Sequence, residues 1–189
     1  DVYRLLEMLG VSHRIFAAKL AGKGDAPASG ADGPVTLGNY AVLRELGRGM
    51  GGCAVYLGEH LKTSERVAVK WPVDHDEVVV MRDLRQRPLA AAEGQKAVHG
   101  LPTLLASGTE RGGHYFATEL LGPNLSTVFQ ALFDRPLLDR WGAIRVIGVM
   151  LLRRLRLLHD CGYVHGDMAP HNVLIRRTDG GHLPYLIDF

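Results

Sequence analysis

Apolar residues near the start of the chain recur at intervals of three and four positions. Val2, Leu5 and Leu9 follow this spacing, which predicts an amphipathic helix over residues 1–21. Gly, Ala, Pro, Ser and Asp then dominate residues 22–37, and a stretch with so little to bury predicts a flexible linker. We therefore expect an accessory helix that this linker separates from the rest of the chain.

After the linker the pattern changes to short runs that are typical of strands. Residues 40–46 and 55–57 flank a glycine-rich turn, and residues 67–70 form a β-branched run that ends in a lysine. Helical spacing follows over residues 76–87 and 89–98, interrupted by a proline. Strands and a helix in separate runs predict an α+β fold that begins with an antiparallel sheet.

The second half of the chain alternates hairpins with helices. The pattern predicts a hairpin of residues 104–107 and 114–120, a short helix over 126–133, a long helix over 140–160, and a hairpin of residues 172–176 and 183–187. Asp139 is expected to cap the long helix and Gly162 to end it. Its apolar residues predict one buried stripe, composed of Ile144, Ile147, Leu151, Leu155 and Leu158.

Composition narrows the class of protein. The chain has 189 residues, 47% of them hydrophobic, and its net charge of +2 points to neither a nucleic-acid nor a membrane partner. No uncharged apolar run is long enough to span a bilayer. Cys53 and Cys161 are isolated and fit a reducing compartment, so we expect an intracellular location, cytoplasmic or nuclear. The chain does not begin with Met, and we interpret it as a fragment.

Candidate chemistry is concentrated near residue 170. Asp167 is followed by Asn172 five positions later, and Asp188 comes after the predicted hairpin. Phosphoryl transfer needs a carboxylate that accepts the proton of the attacking hydroxyl, together with oxygen ligands for the Mg²⁺ on the nucleotide phosphates. We assign Asp167 as the base, and Asn172 and Asp188 as metal ligands.

Two features farther upstream fit a nucleotide. Gly47, Gly49 and Gly52 lie in a turn between strands, where backbone N–H groups can approach phosphate oxygens. Lys70, at the end of a strand, can reach the phosphates if a carboxylate fixes its position. Glu77 comes only seven residues later, which we judge too close, so the prediction is Glu93.

An extended connector follows the hairpin of residues 104–120. It reads Glu-Leu-Leu-Gly-Pro-Asn-Leu over residues 119–125. Its backbone groups are available to an adenine edge, and we propose the Glu119 carbonyl and the Leu121 N–H as those contacts.

The glycine loop, strand lysine, connector, His-Gly-Asp loop and Asp-Phe pair occur in the order found in protein kinases, over about residues 38–189. Gly100-Leu101-Pro102-Thr103 and the connector resemble the casein kinase I group, and Tyr163-Val164-His165-Gly166-Asp167 is similar to the vaccinia-related kinases.

The resemblance implies a two-lobed fold with an N-lobe over residues 38–121 and a partial C-lobe over residues 122–189. It also implies ATP and Mg²⁺ as cofactors and transfer to Ser or Thr of a protein. Val55 and Ala68 would then contact the nucleotide, and Thr118 would line the back of the adenine pocket.

The sequence departs from the kinase pattern at several positions. The glycine loop is one residue longer than usual, Gly166 replaces the Arg of the catalytic loop, and Ala169 stands where Ser/Thr kinases carry a Lys. The chain ends at Phe189, which leaves the C-lobe incomplete. We expect this chain alone to be poorly stable and to have little kinase activity.

Two other functions fit parts of the pattern. His165-Gly166-Asp167 followed by Asn172 also resembles aminoglycoside and choline kinases, which phosphorylate small molecules. A pseudokinase that acts as a binding module is the other alternative, with the helix of residues 1–20 docking on a partner.

Overall fold

The computed structural model describes residues 35–49, 52–87, 100–133, 136–178 and 181–189. These residues form two compact units. The first unit lies within residues 23–87 and 103–120, and the second lies within residues 88–102 and 121–189. The predicted helices of residues 1–21 and 89–98, most of the predicted linker, and Glu93 lie outside the described residues.

The secondary structure of the described residues alternates strands with helices. In chain order the elements are β1 (Thr36–Leu37), β2 (Tyr40–Arg48), β3 (Ala54–His60), β4 (Arg66–Val73), α1 (His75–Gln86), β5 (Leu104–Glu110), β6 (Gly113–Glu119), α2 (Leu125–Leu132), α3 (Leu137–Asp160), a 3-10 turn (Pro170–Asn172), β7 (Val173–Thr178) and β8 (Gly181–Leu186). The fold is therefore α+β, as the sequence predicts.

The first unit is built on a six-stranded antiparallel sheet. Its strand order is β1-β2-β3-β4-β6-β5. Thr36 and Leu37, which the sequence places in the linker, pair with β2, and Leu37 is buried. One face of the sheet carries an apolar core of Leu37, Tyr40, Val42, Ala54, Tyr56, Val67, Val69, Tyr115 and Ala117.

Helix α1 lies in the first unit and follows β4 after a single residue, Asp74. Val78, Met81 and Leu84 are its buried residues, and their spacing of three positions places them on one helical face. The helix ends where the sequence predicts, because a proline disfavours helical backbone at the residue that precedes it. That residue, Arg87, has an extended conformation with ψ of 132°.

The second unit contains α2, α3 and the β7–β8 hairpin. Asn124 caps α2, since its side-chain oxygen accepts a hydrogen bond from the Thr127 N–H at 3.0 Å. The hairpin packs beside this helix, and its Ile175 exchanges backbone hydrogen bonds with Gly122 and Pro123. From α3, the Arg154 guanidinium donates to the Pro184 carbonyl at 3.3 Å, and burial lowers the pKa of this guanidinium.

Helix α3 differs from its sequence prediction at both its start and its apolar face. It begins at Leu137 after Pro136, and Asp139 lies in its first turn instead of capping it. Pro136 occupies the N-cap position, where its missing N–H costs no helical hydrogen bond and its carbonyl accepts one from the Arg140 N–H at 3.1 Å. Ala143, Ile147 and Leu158 are buried, but Ile144 is 42% exposed, so the predicted stripe is only partly covered in the described structure.

Among the described residues, no helix combines the length and the apolar character needed to cross a membrane.

Candidate functional site

An ion pair joins the strand lysine of the first unit to α1. The Lys70 Nζ lies 2.5 Å from Glu77 Oε1, and the two side chains are only 13% and 24% exposed. The lysine cation also lies 6.0 Å from the centre of the Phe116 ring, at the outer limit of a cation–π contact. Limited exposure strengthens the ion pair, because water screens it less than a surface pair.

This pair corrects the sequence-based choice of partner. Glu77 was judged too close to Lys70 for a connection and a helical turn to fit between them. The connection is in fact the single residue Asp74, so Glu77 is the third residue of α1 and faces back towards the strand. The exclusion of Glu77 was therefore wrong, and Glu93, the predicted partner, lies outside the described residues.

The predicted glycine-rich turn connects β2 and β3. Gly47 pairs with Val55, and the Gly49 N–H donates to the Cys53 carbonyl at 2.9 Å. Gly52 follows with φ of +83°. Val55 also pairs with Lys70 on its other side, so the base of this hairpin lies next to the lysine in the sheet.

Ala68 and Thr118 face each other across β4 and β6. Thr118 is buried, and its hydroxyl donates to the Glu119 carbonyl at 3.3 Å. The Glu119 carboxylate accepts hydrogen bonds from the backbone N–H and the hydroxyl of Thr103 at 3.2 and 3.1 Å. The Glu119 side chain is thus held by Thr103, the residue before β5, whereas its backbone continues into the connector.

In the second unit, Asp167 and Asn172 are in direct contact. The Asn172 side-chain N–H₂ donates to Asp167 Oδ2 at 2.9 Å and to the Asp167 carbonyl at 3.0 Å. Both atoms are acceptors, so the contacting amide atom must be the nitrogen. The 3-10 turn, closed by the hydrogen bond from the Asn172 N–H to the Ala169 carbonyl, positions this side chain.

The β7–β8 hairpin brings the end of the chain back to Asn172. The Ile187 N–H donates to the Asn172 carbonyl at 3.0 Å, so Asp188 directly follows a residue that is bonded to Asn172. Asp188 is exposed and has φ of +60°, which non-glycine residues seldom adopt. Such backbone conformations cluster at functional sites, which makes Asp188 a candidate for a functional role.

His165 and Gly166 precede the base candidate, and their environments are not apparent from the sequence. His165 is 5% exposed, neither ring nitrogen has a hydrogen-bond partner in the described structure, and the ring lies edge-on to Phe189 at 6.1 Å. Gly166 has φ of +73°, where a side chain is strained. Where the kinase pattern has an Arg, this chain has Gly166, and glycine is the residue that this backbone conformation favours.

The predicted metal ligands can be tested against the chemistry that Mg²⁺ requires. Because the Asn172 nitrogen is directed at Asp167, the amide oxygen is the atom left for a cation. Together with the exposed carboxylate of Asp188, this gives the oxygen ligands that Mg²⁺ prefers. The described residues contain no group of three or more His, Cys, Asp or Glu side chains arranged for a metal ion.

The predicted site residues fall in both units. The first unit holds the glycines, the lysine and the residues beside it: Gly47, Gly49, Gly52, Val55, Ala68, Lys70, Thr118 and Glu119. The second unit holds Leu121, Asp167, Asn172 and Asp188. The structure brings Ala68 beside Thr118 and Asp167 against Asn172.

Comparison with known proteins finds sequence similarity to a protein kinase. The chain is 26% identical over 160 residues to a probable serine/threonine-protein kinase of Dictyostelium discoideum. The match covers 84% of this chain but 31% of the relative, so the chain spans about a third of that protein's length. No family model matches the chain. The similarity supports the protein kinase superfamily in general and does not distinguish the casein kinase I group.

Proposed function

We propose that this chain carries the nucleotide-binding and catalytic-loop part of a Ser/Thr protein kinase, which transfers a phosphoryl group from Mg-ATP to a protein hydroxyl. In a two-lobed fold, the first unit would correspond to the nucleotide lobe and the second to part of the catalytic lobe. The similarity to a probable serine/threonine-protein kinase supports this assignment.

The observation that carries the proposal is the Lys70–Glu77 ion pair. Kinases need a strand lysine fixed by a helical glutamate, because the lysine then orients the α- and β-phosphates. Lys70 lies within β4 and not at its end, as the sequence had suggested. Lysine side chains are mostly exposed in proteins, so a short pair with two mostly covered side chains is unusual. It supplies a rigid cation on the sheet that carries the glycine-rich hairpin.

The other residues take the following roles in this proposal. The hairpin of Gly47, Gly49 and Gly52 covers the phosphates, and Val55 and Ala68 contact the adenine ring. The Gly49 N–H is not one of the phosphate donors, because it bonds the Cys53 carbonyl within the hairpin. Thr118 limits the depth of the adenine pocket, and the Glu119 carbonyl and Leu121 N–H bind its edge. Asn172 and Asp188 would hold Mg²⁺, which neutralises phosphate charge when bound.

Asp167 is the base that accepts the proton of the substrate hydroxyl. Its carboxylate keeps a fixed direction because Asn172 holds one oxygen at 2.9 Å, and the residue remains exposed to an incoming hydroxyl. No Lys follows two residues later, since position 169 is Ala169. We expect a slower transfer step as a result, because one cation that would stabilise the transferring phosphate is missing.

The assignments of the kinase group, the substrate, the cellular location and a docking partner rest on the sequence alone. Residues 100–103 and 119–125 favour a casein kinase I-like protein with a Ser/Thr protein substrate. The two isolated cysteines favour an intracellular location, cytoplasmic or nuclear. We also propose a docking partner for the helix that the sequence predicts over residues 1–20.

The test is to measure Mg-ATP binding by calorimetry and then phosphate transfer from labelled ATP to Ser/Thr peptides, using the intact protein. We expect binding and transfer to peptides. Transfer to aminoglycosides or choline but to no peptide would favour a small-molecule phosphotransferase. Binding without any transfer, or no binding, would favour a pseudokinase that acts as a binding module.

A further inference from the structure

Two histidines approach each other in the first unit, where α1 begins beside β6. His75 is the first residue of α1, and His114 is the second residue of β6. Their ring centres lie 5.0 Å apart, with the ring planes inclined at 53°. His75 is exposed and His114 is partly exposed, so ions in solution can reach both rings.

A hydrogen bond orients one of these rings. His114 Nδ1 lies 2.8 Å from the Thr109 hydroxyl oxygen, on the neighbouring strand β5. Histidines that bind a metal commonly donate their second ring N–H to an oxygen, which fixes the tautomer and the direction of the ring. When Nδ1–H donates to Thr109, the lone pair of His114 is on Nε2, the nitrogen that is available to a metal.

The ring separation matches a tetrahedral site. With a Zn–N bond of about 2.0–2.1 Å, the ion would lie roughly 3.2 Å from each ring centre. Two centres 5.0 Å apart then subtend an angle of about 103° at the ion, close to the tetrahedral value. The spacing of the two rings is therefore compatible with one shared ion.

The local charge also suits a cation. Asp74 and Asp76 flank His75 in sequence, and both are exposed. Their negative charge offsets the partial positive charge of the α1 N-terminus, which by itself would disfavour a cation.

We propose that His75 and His114 form a two-histidine binding site for a divalent ion of the zinc class, with Thr109 positioning His114. The described residues offer no third His, Cys, Asp or Glu ligand in this place, so water completes the coordination. Imidazole nitrogens suit Zn²⁺ and discriminate against Mg²⁺, which prefers oxygen ligands. The site does not depend on the proposed phosphoryl transfer.

An ion at this site would link the start of α1 to β6. Glu77, the partner of Lys70, lies two residues after His75 on the same helix. Zinc would therefore restrain the helical turn that carries Glu77. We expect slower hydrogen exchange when zinc is present for the α1 amides from Val78 onward, which are the ones that helical hydrogen bonds protect.

The experiment is a calorimetric titration of the chain with ZnCl₂ in a buffer that does not chelate metals. We expect one saturable site, reversed by EDTA, and no competition from excess Mg²⁺. His75→Gln and His114→Gln should each lower the affinity at least ~10-fold, and Thr109→Val should lower it about 10-fold without changing the stoichiometry. His159→Gln, at an exposed position on α3, is the matched control and should bind like the wild type.

Ring-nitrogen NMR of the wild-type chain provides a readout that does not depend on the folding of variants. Zinc should shift the resonances of two histidine rings. Equal zinc affinity in the wild type and the His75→Gln/His114→Gln double variant would overturn the proposal. Zinc-induced shifts in other histidines but not in these two would do the same.

Discussion

Asn172 donates its side-chain N–H₂ to both the carboxylate and the backbone carbonyl of Asp167, at 2.9 and 3.0 Å. The two contacts fix the direction of the carboxylate and, at the same time, turn the amide oxygen of Asn172 away from it. One side chain thereby orients the proposed base and presents a proposed metal ligand. The sequence spacing of five residues achieves this through the 3-10 turn of Pro170–Asn172.

Replacement of the base tests the role of Asp167 most directly. Asp167→Asn should lower turnover by about 10²–10⁴-fold and leave the Mg-ATP dissociation constant nearly unchanged, because an Asn oxygen can still accept the bond from Asn172. Steady-state kinetics and calorimetry on the intact protein measure the two quantities. Asp160→Asn, at an exposed position at the end of α3, is the control. Weaker nucleotide binding with unchanged turnover would contradict the assignment.

Removal of one charge from the Lys70–Glu77 pair should destabilise the first unit. Glu77→Gln leaves a mostly covered ammonium without its carboxylate partner and should lower the free energy of unfolding by about 1–3 kcal/mol. Asp76→Asn, an exposed neighbour, should change it by less than about 0.5 kcal/mol. Urea unfolding compares the variants. A larger loss for Glu93→Gln than for Glu77→Gln would restore the sequence-based choice of partner.

Two glycine substitutions should have opposite effects on stability. Gly166→Ala places a side chain at φ of +73° and should cost about 1 kcal/mol of unfolding free energy. Gly148→Ala lies within helix α3 and should add about 0.5–1 kcal/mol, since alanine favours helix. An added Cβ meets no atom within 4 Å at either site. The backbone conformation alone therefore decides whether each substitution raises or lowers the free energy of unfolding. Thermal or urea unfolding gives both values, and equal signs would refute the prediction.

Alkaline pH should destabilise the first unit through its tyrosines. Burial raises the pKa of Tyr40, Tyr56 and Tyr115 above the ordinary value of 10.0. A raised pKa means that, at alkaline pH, the folded state retains these protons while the unfolded state releases them. The stability that the protonated tyrosines contribute is therefore complete below pH 10.0 and is lost as pH rises through the folded-state pKa. Urea unfolding at about pH 8 and about pH 11 should show this loss. Tyr115→Phe should reduce the loss of stability between these two pH values. An unchanged loss in this variant would argue against the buried tyrosine as its cause.

Helix α3 should promote self-association of the chain. Leu138, Trp141 and Leu152 are 85%, 59% and 67% exposed in the described structure. Their spacing places them along one side of the helix, and an exposed apolar patch of this kind favours aggregation. Leu152→Glu should reduce the apparent particle size in light scattering without loss of stability. Leu158→Glu, at a fully buried position, should instead unfold the second unit.

The sequence predicted most local elements because their causes are local. The helical spacing of residues 76–87 predicted α1 to within one residue at each end, and the β-branched run of residues 67–70 predicted the middle of β4. The proline after Arg87 predicted the end of α1, and Gly162, with φ of +84°, follows the end of α3 as expected. The start of α3 was missed because an Asp near a helix start fits either the cap or the first turn.

What the sequence by itself determined is the order of strands and helices and the residue types of the proposed site: a strand lysine, a glycine turn, and Asp167, Asn172 and Asp188. Only the tertiary structure decided which side chains meet. Glu77 reaches Lys70 because a single residue joins β4 to α1, and His75 meets His114 because α1 starts beside β6. Such contacts depend on how the chain turns between elements, whereas apolar spacing reports only which face of each element is buried.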